Sequence, residues 1–127
     1  MISEHLSQIE AIVAKYTQAS FVQRINLSVE RRSGDQAYLS GSFFFVDGSS
    51  LHFREFLTTF DYMVIKRKYA YHYQDSEGQL IFRYDNATHR PTLGFIEHKH
   101  DQEGIIPAQS PDLDTVIEEI VTGADWL

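Results

Sequence analysis

Cysteine is absent from this 127-residue chain, which excludes disulfides, thiolate catalysis and cysteine-ligated zinc and fits a reducing compartment. No apolar run approaches the roughly 18 residues that a membrane span needs. No basic segment followed by an apolar core opens the sequence, so the cytoplasm is the expected location. Internal repeats and low-complexity tracts are missing as well. What remains is a globular composition, 43% hydrophobic and 23% charged, of a length expected to form one domain over residues 1–127. A chain this long buries roughly two-thirds of its unfolded surface, so its core needs neither metal nor disulfide.

Lysine and arginine are missing from the C-terminal end. Residues 101–127 hold seven acids and no Lys or Arg, while residues 24–100 hold ten Lys and Arg against nine acids, together with five of the six histidines. The net charge of -7 therefore belongs to the tail. A local basic surface around Arg31 and Arg32, or around Lys66, Arg67 and Lys68, is compatible with the sequence, as is a plain solvated strand end at each.

Leu6, Ile9, Ile12, Val13 and Tyr16 recur at helical spacing and predict a helix from about Glu4 to Gln18, capped by Ser3. From Phe21 the period changes to two. Ile25, Leu27 and Val29 take one side of a strand, and Arg24, Asn26, Ser28 and Glu30 take the other. Further strands are predicted over Gln36–Val46, Ser50–Thr58, Tyr62–Gln74 and Gln79–Asp85, with Asp47-Gly48 as a hairpin turn. Turns this short make the strands antiparallel neighbours. Residues 86–109 show no sustained period and read either as a functional loop or as hiding a short strand such as Thr92–His98. A closing helix is predicted with Ser110 as N-cap, Pro111 at its first position, Leu113, Val116, Ile117, Ile120 and Val121 as its apolar stripe, and an end near Gly123; Trp126 and Leu127 would then pack on the sheet or on another protein. The fold class is α+β, an antiparallel sheet of about five meandering strands flanked by an N-terminal and a C-terminal helix.

Chemistry concentrates at the end of the fifth strand. Arg83 and Asp85 share a face and suit an ion pair or the binding of an anion. His89, His98 and His100 lie in or beside the irregular stretch; they can serve as proton carriers, as zinc ligands, or as solvated loop residues. Glu55 interrupts the apolar side of SLHFREFLT, where a carboxylate must find donors or a cation, Arg83 being one candidate partner. Tyr69, Tyr71 and Tyr73 line one strand face, either beneath a helix or as a platform for stacking bases.

The strand LHFREF, the run YAYHYQ, the stretch RYDNATH and the later HKH, followed by SPDLDTVIEEI, resemble the TumE-like toxin components of prokaryotic toxin–antitoxin pairs. The likeness runs in order over about residues 35–121. Where that family commonly has Pro, a second His and a His before the H-x-H, this chain has Thr88, Arg90 and Glu97. The resemblance implies a growth inhibitor neutralised by a small cognate antitoxin protein, and by analogy with comparable toxins a ribonuclease acting on RNA. The alternative is a non-enzymatic protein-binding module whose polar cluster is structural. For the metal-independent ribonuclease, His89 with His98 or His100 would move protons, Arg83 would stabilise phosphate charge, and Glu55 or Asp85 would orient. Arg54, Lys66, Lys68, Tyr84 and Asn86 are the candidates for substrate binding. No cofactor is expected; a divalent metal at His89, His98 and His100 is the lesser alternative. No membrane partner is expected, and a homodimer is left open.

Overall fold

A computed structural model of the chain describes residues 1–88 and 95–126. Helix α1 (Ile2–Thr17) starts earlier than its periodicity suggests, with Met1 at the N-cap and no side-chain cap. Ser3 lies inside the first turn, and its hydroxyl accepts from Arg31 Nη1 (3.3 Å) instead of capping.

Among the described residues seven strands follow: β1 (Val22–Arg32), β2 (Gln36–Phe45), β3 (Ser50–Phe60), β4 (Met63–Gln74), β5 (Leu80–Asp85), β6 (His98–Asp101) and β7 (Gly104–Pro107). They pair in chain order, each antiparallel to its neighbour. The meander is thus as the short turns require, but it has seven strands and not about five. The two additions, HKHD and GIIP, are four residues each and lack apolar alternation. Their order comes from the ladder that β5 offers, which no single-strand pattern records. Of the alternative strand 92–98, residues 92–94 lie outside the described residues, and of the remaining four His98 alone is in a strand.

Helix α2 (Leu113–Ala124) is capped by Asp112, not Ser110: the Asp112 carboxylate accepts from the Thr115 backbone N–H (2.9 Å) and hydroxyl (2.7 Å). Pro111 stands outside the helix. Gly123 lies within it, and Asp125, in the left-handed region (φ 57°), closes it. No helix among the described residues is long and apolar enough to cross a membrane.

Both helices lie on the same face of the sheet. His5 of α1 reaches Glu55 on β3, and Glu119 of α2 reaches Tyr84 on β5 and Lys99 on β6. Beneath them Leu39, Phe43, Leu51, Phe53, Leu57, Tyr71 and Phe82 join Leu6, Ile9, Val116, Ile117 and Ile120 in one core. Tyr69, Tyr71 and Tyr73 belong to this buried face, so they are core and not a platform for bases. Gly41 is also here, because a Cβ at that position would lie 2.8 Å from the Phe53 ring and 2.5 Å from the Asn26 carbonyl oxygen. Trp126 stacks on Phe21 with ring centroids 5.2 Å apart, so it packs within its own fold; Leu127 is outside the described residues.

Candidate active site on the open sheet face

Residues opposite one another in an antiparallel ladder share a face. Reading across the register, Ser42, His52, His72, Arg83 and His100 form one row, and Ser40, Arg54, Ala70, Asp85 and His98 the next. Both rows lie on the face opposite the helices. Two adjoining grooves run over this face: one of about 470 Å³ is lined by Asn26, Ser42, His52, His72 and Arg83 among others, and one of about 660 Å³ by Arg32, Phe56, Lys68, Arg83, Asp85 and Asn86 among others. Tyr38 and Arg54 line both.

Asp85 is the centre. It is 4% exposed, and its oxygens divide their work: Oδ1 accepts from the Ala87 backbone N–H (3.0 Å) and faces His98 Nε2 (2.7 Å), while Oδ2 accepts from Arg83 Nε (2.7 Å) and faces His100 Nε2 at 3.5 Å. Burial by itself would raise the Asp85 carboxyl, but the Arg83 and Ala87 hydrogen bonds and the His98 charge outweigh it and hold it below the usual carboxylate range. His98 is completely buried. Its Nδ1 donates to the Ile96 carbonyl, which can only accept, and its Nε2 faces the Asp85 carboxylate.

Arg83 also ties in a histidine that the sequence did not single out. Its Nη1 donates to His72 Nδ1 (3.2 Å), and His72 Nε2 then donates to Gln74 Oε1 (3.1 Å). Burial first, and the Arg83 charge second, hold His72 below the ordinary histidine range, consistent with a neutral ring here. His52 sits beside it between the hydroxyls of Ser42 (2.7 Å) and Ser50 (3.0 Å).

The structure therefore brings Arg83, Asp85, His98 and His100 together, with Arg54 and Lys68 on the groove walls. His89 is outside the described residues. Asn86 borders the groove, but its side chain is bound to backbone: Oδ1 accepts from the Tyr69 N–H (3.1 Å) and Nδ2 donates to the Arg67 carbonyl (2.9 Å). Glu55, Lys66 and Tyr84 are on the other face. Of the two ion pairs weighed for Arg83, the one with Asp85 forms.

Glu55 belongs to a second polar cluster, under the helices. It is 1% exposed; His5 Nε2 lies 2.7 Å from Oε1, and the Tyr71 hydroxyl donates to Oε2. Lys66 Nζ donates to the Tyr71 oxygen (2.6 Å) and to the Pro111 carbonyl (2.6 Å). Burial would push the Glu55 carboxyl up, yet the bonds from His5 and Tyr71 and the Lys66 charge bring it below its ordinary value. The same burial lowers Lys66 despite the attraction of Glu55, and burial with the Glu55 charge pushes the Tyr71 hydroxyl far up. This cluster pins α1 and the approach to α2 onto the sheet. His5 and Tyr71 carry no signal in sequence that would pair them with Glu55, since they are far apart along the chain.

Both lowered carboxyls have a measurable consequence. A carboxyl that is more acidic folded than unfolded stabilises the fold above the unfolded value, and that contribution disappears as pH falls through the folded value. Unfolding free energy is thus expected to fall once pH passes below about 4.5, the unfolded value for Glu55, after a shallower decline that begins below 6.5, where the unfolded His72 takes up a proton that the folded ring resists. Urea unfolding across that range checks this; a Glu55→Gln variant should show a shallower acid slope.

The ligand atoms of Asp85, His98 and His100 lie within 4.8 Å of one another. A divalent ion held there would replace the proton between His98 Nε2 and Asp85, with Nδ1 anchored by the Ile96 carbonyl as ligating histidines usually are. Without an ion the cluster is complete as an ion-pair network: among the described residues every buried side-chain nitrogen and oxygen has a partner.

No curated protein and no solved structure matches the chain. A family model does: that of Toxin TumE covers residues 9–124, a span taking in β1 to β7, α2 and the part of α1 from Ile9 onward, and the chain belongs to this toxin family.

Proposed function

We propose that the protein is the toxin of a toxin–antitoxin pair and that it acts on RNA at the open sheet face. The observation that carries this reading is the distribution of charge. Arg24, Arg32, Arg54, Lys68 and Arg83 are on that face around Asp85, His98 and His100, while acids of the C-terminal segment such as Asp114 and Glu119 belong to the helix on the other side. A polyanion meets five cations on the open face, where Glu30 beside Arg32 is an opposing acid, whereas the exposed cations on the helix side, Lys15 and Arg31, stand beside Asp114 and Asp35.

In the reaction, Arg83 holds the scissile phosphate and neutralises the charge that builds on its oxygens. His100, with 20% of its side chain exposed and positioned by Asp85, takes the proton of the RNA 2′-hydroxyl. The 2′ oxygen attacks phosphorus, the bond to the 5′ oxygen breaks, and that oxygen takes a proton from a second acid, leaving a 2′,3′-cyclic phosphate. His89 is the nominee for the acid. His98, fully buried, positions Asp85 and does not meet substrate; Glu55, across the sheet, has no part in the step.

Single-stranded RNA incubated with the purified protein in chelator should yield cyclic-phosphate ends. Arg83→Ala should lower the rate by roughly 10²–10³-fold, the scale for loss of one charge-stabilising donor. Intact RNA after incubation with folded wild type, both with and without chelator, overturns the enzyme. Cleavage abolished by chelator would transfer the chemistry to a metal on Asp85, His98 and His100.

A second reading has its own observation in the buried side-chain nitrogens and oxygens, all of which have partners among the described residues: a binding module that needs no substrate to satisfy its buried polar groups. Growth inhibition that survives Arg83→Ala and His100→Ala would favour it. On either reading the expected partner is a small antitoxin protein.

A further inference from the structure

The β3–β4 hairpin ends in exposed aromatic and apolar side chains. Phe60 is 67%, Tyr62 89% and Met63 65% exposed. Between the paired residues Phe60 and Met63 the turn is Asp61-Tyr62, with φ of 51° and 61°. A two-residue hairpin turn with both φ values positive ordinarily uses Asn-Gly or Asp-Gly, because glycine has no Cβ to strain. Here a tyrosine occupies the glycine position and points to solvent, so the conformational cost supports no packing within the chain.

The sides of this arm follow from the ladder. Phe56 pairs with Lys68, Thr58 with Ile65 and Phe60 with Met63; alternation places all of them on the open face. Arg32 lies over the Phe56 and Tyr38 rings at 5.8 and 5.7 Å, and the bulged Arg67 donates to Thr58 Oγ1 (3.0 Å). Aromatic rings and cations therefore alternate from the Arg83–Asp85 groove to the hairpin tip. From Arg54 to Phe60 the strand covers about 20 Å. Asp61 is the sole acid between Phe56 and Lys68 in the sequence.

We propose that this arm is a stacking platform for single-stranded RNA, continuing the path of the strand held at the groove and taking unstacked bases on Phe60 and Tyr62 while Arg32, Arg67 and Lys68 track the phosphates. This rests on RNA being the ligand of the open face and adds which form of it binds. Bases in a duplex present no ring faces to such a tip; those of a single strand do. A protein partner would suit the apolar tip alone, but the interleaved cations and the continuity with the groove favour the nucleic acid.

The test uses 2′-O-methylated U12 and U4 oligomers, which lack the attacking hydroxyl, and a U12·A12 duplex, followed by fluorescence anisotropy with the full-length protein. U12 should bind more tightly than U4 and than the duplex, with affinity falling as salt rises. The double variant Phe60→Ala, Tyr62→Ala should weaken U12 by roughly tenfold or more, the scale of lost stacking, and leave U4 unchanged. Tyr62→Gly, which suits the left-handed backbone, should weaken U12 without harming folding. Unchanged U12 affinity in all tip variants overturns the platform, as does loss of antitoxin binding alone, which would make the tip a protein-docking element. The two proposals fail separately: binding that depends on the tip without any cleavage of unmodified RNA removes the enzyme and keeps the platform, and cleavage with an indifferent tip does the reverse.

Discussion

Replacing Ile117 by Ala is expected to cost the free protein roughly 2–5 kcal/mol, the range for emptying a fully packed aliphatic site. Ile117 is completely buried, with Leu113, Val116, Ile120 and Val121 beside it on the sheet side of α2. A helix of this length is marginal alone, so its order comes from that packing. Against a total stability of about 5–15 kcal/mol for an ordinary domain, the loss is large. Denaturant unfolding of the free variant measures it. If α2 owed its order to a docked antitoxin instead, the free protein would change by less than about 0.5 kcal/mol, the scale of a surface substitution.

Asp85→Ala should be as damaging, for the opposite reason. It removes no apolar contact of note, but it leaves the buried His98 and the adjoining Arg83 facing one another without the carboxylate between them. Breaking a buried pair from one side typically costs roughly 3–5 kcal/mol because the remaining charge has nowhere to go. A double variant, Asp85→Leu with His98→Leu, should recover part of the loss, since the buried ring that lost its carboxylate is replaced by an apolar side chain while Arg83 can turn to solvent. The measurement is the unfolding free energy of single and double variants at neutral pH. A single variant as stable as wild type would show that the ion pair at His98 is not what holds β6 to β5, and the site would lose its centre.

These two expectations draw on different levels of the sequence. The stripe of α2 is visible in the period of its apolar residues, and so are β1 to β5, because each has one face that must be buried. The strands β6 and β7 lack such a face. His98 is buried by a charge partner and not by apolar neighbours, and Ile105 and Ile106 remain exposed. The pattern of SPD points to Ser110 as the N-cap because a serine before a proline is a common helix start, but aspartate caps as well, and the acceptor geometry places the cap at Asp112. In the site, Arg83, Asp85, His98 and His100 could be found because they are close in sequence or alternate along one strand. His72 could not, since it meets Arg83 through cross-strand register, and a bulge between Tyr73 and Gln74 lies next to that pair. The same limit grouped Glu55 with Asp85, although each faces away from the other through the sheet.

Because every strand pairs with its predecessor, the order of the sheet is also the order of its synthesis. At roughly 5–20 residues per second on the ribosome, β5 with Arg83 and Asp85 is made on the order of a second before His98 and His100. In that interval Asp85 has the arginine of its own strand and no imidazole, and the apolar rows of β2 to β4 await the helix that will cover them. The newborn chain therefore lacks its polar cluster and the cover of its core at once, and it gains both only when the segment from β6 through α2 has been added.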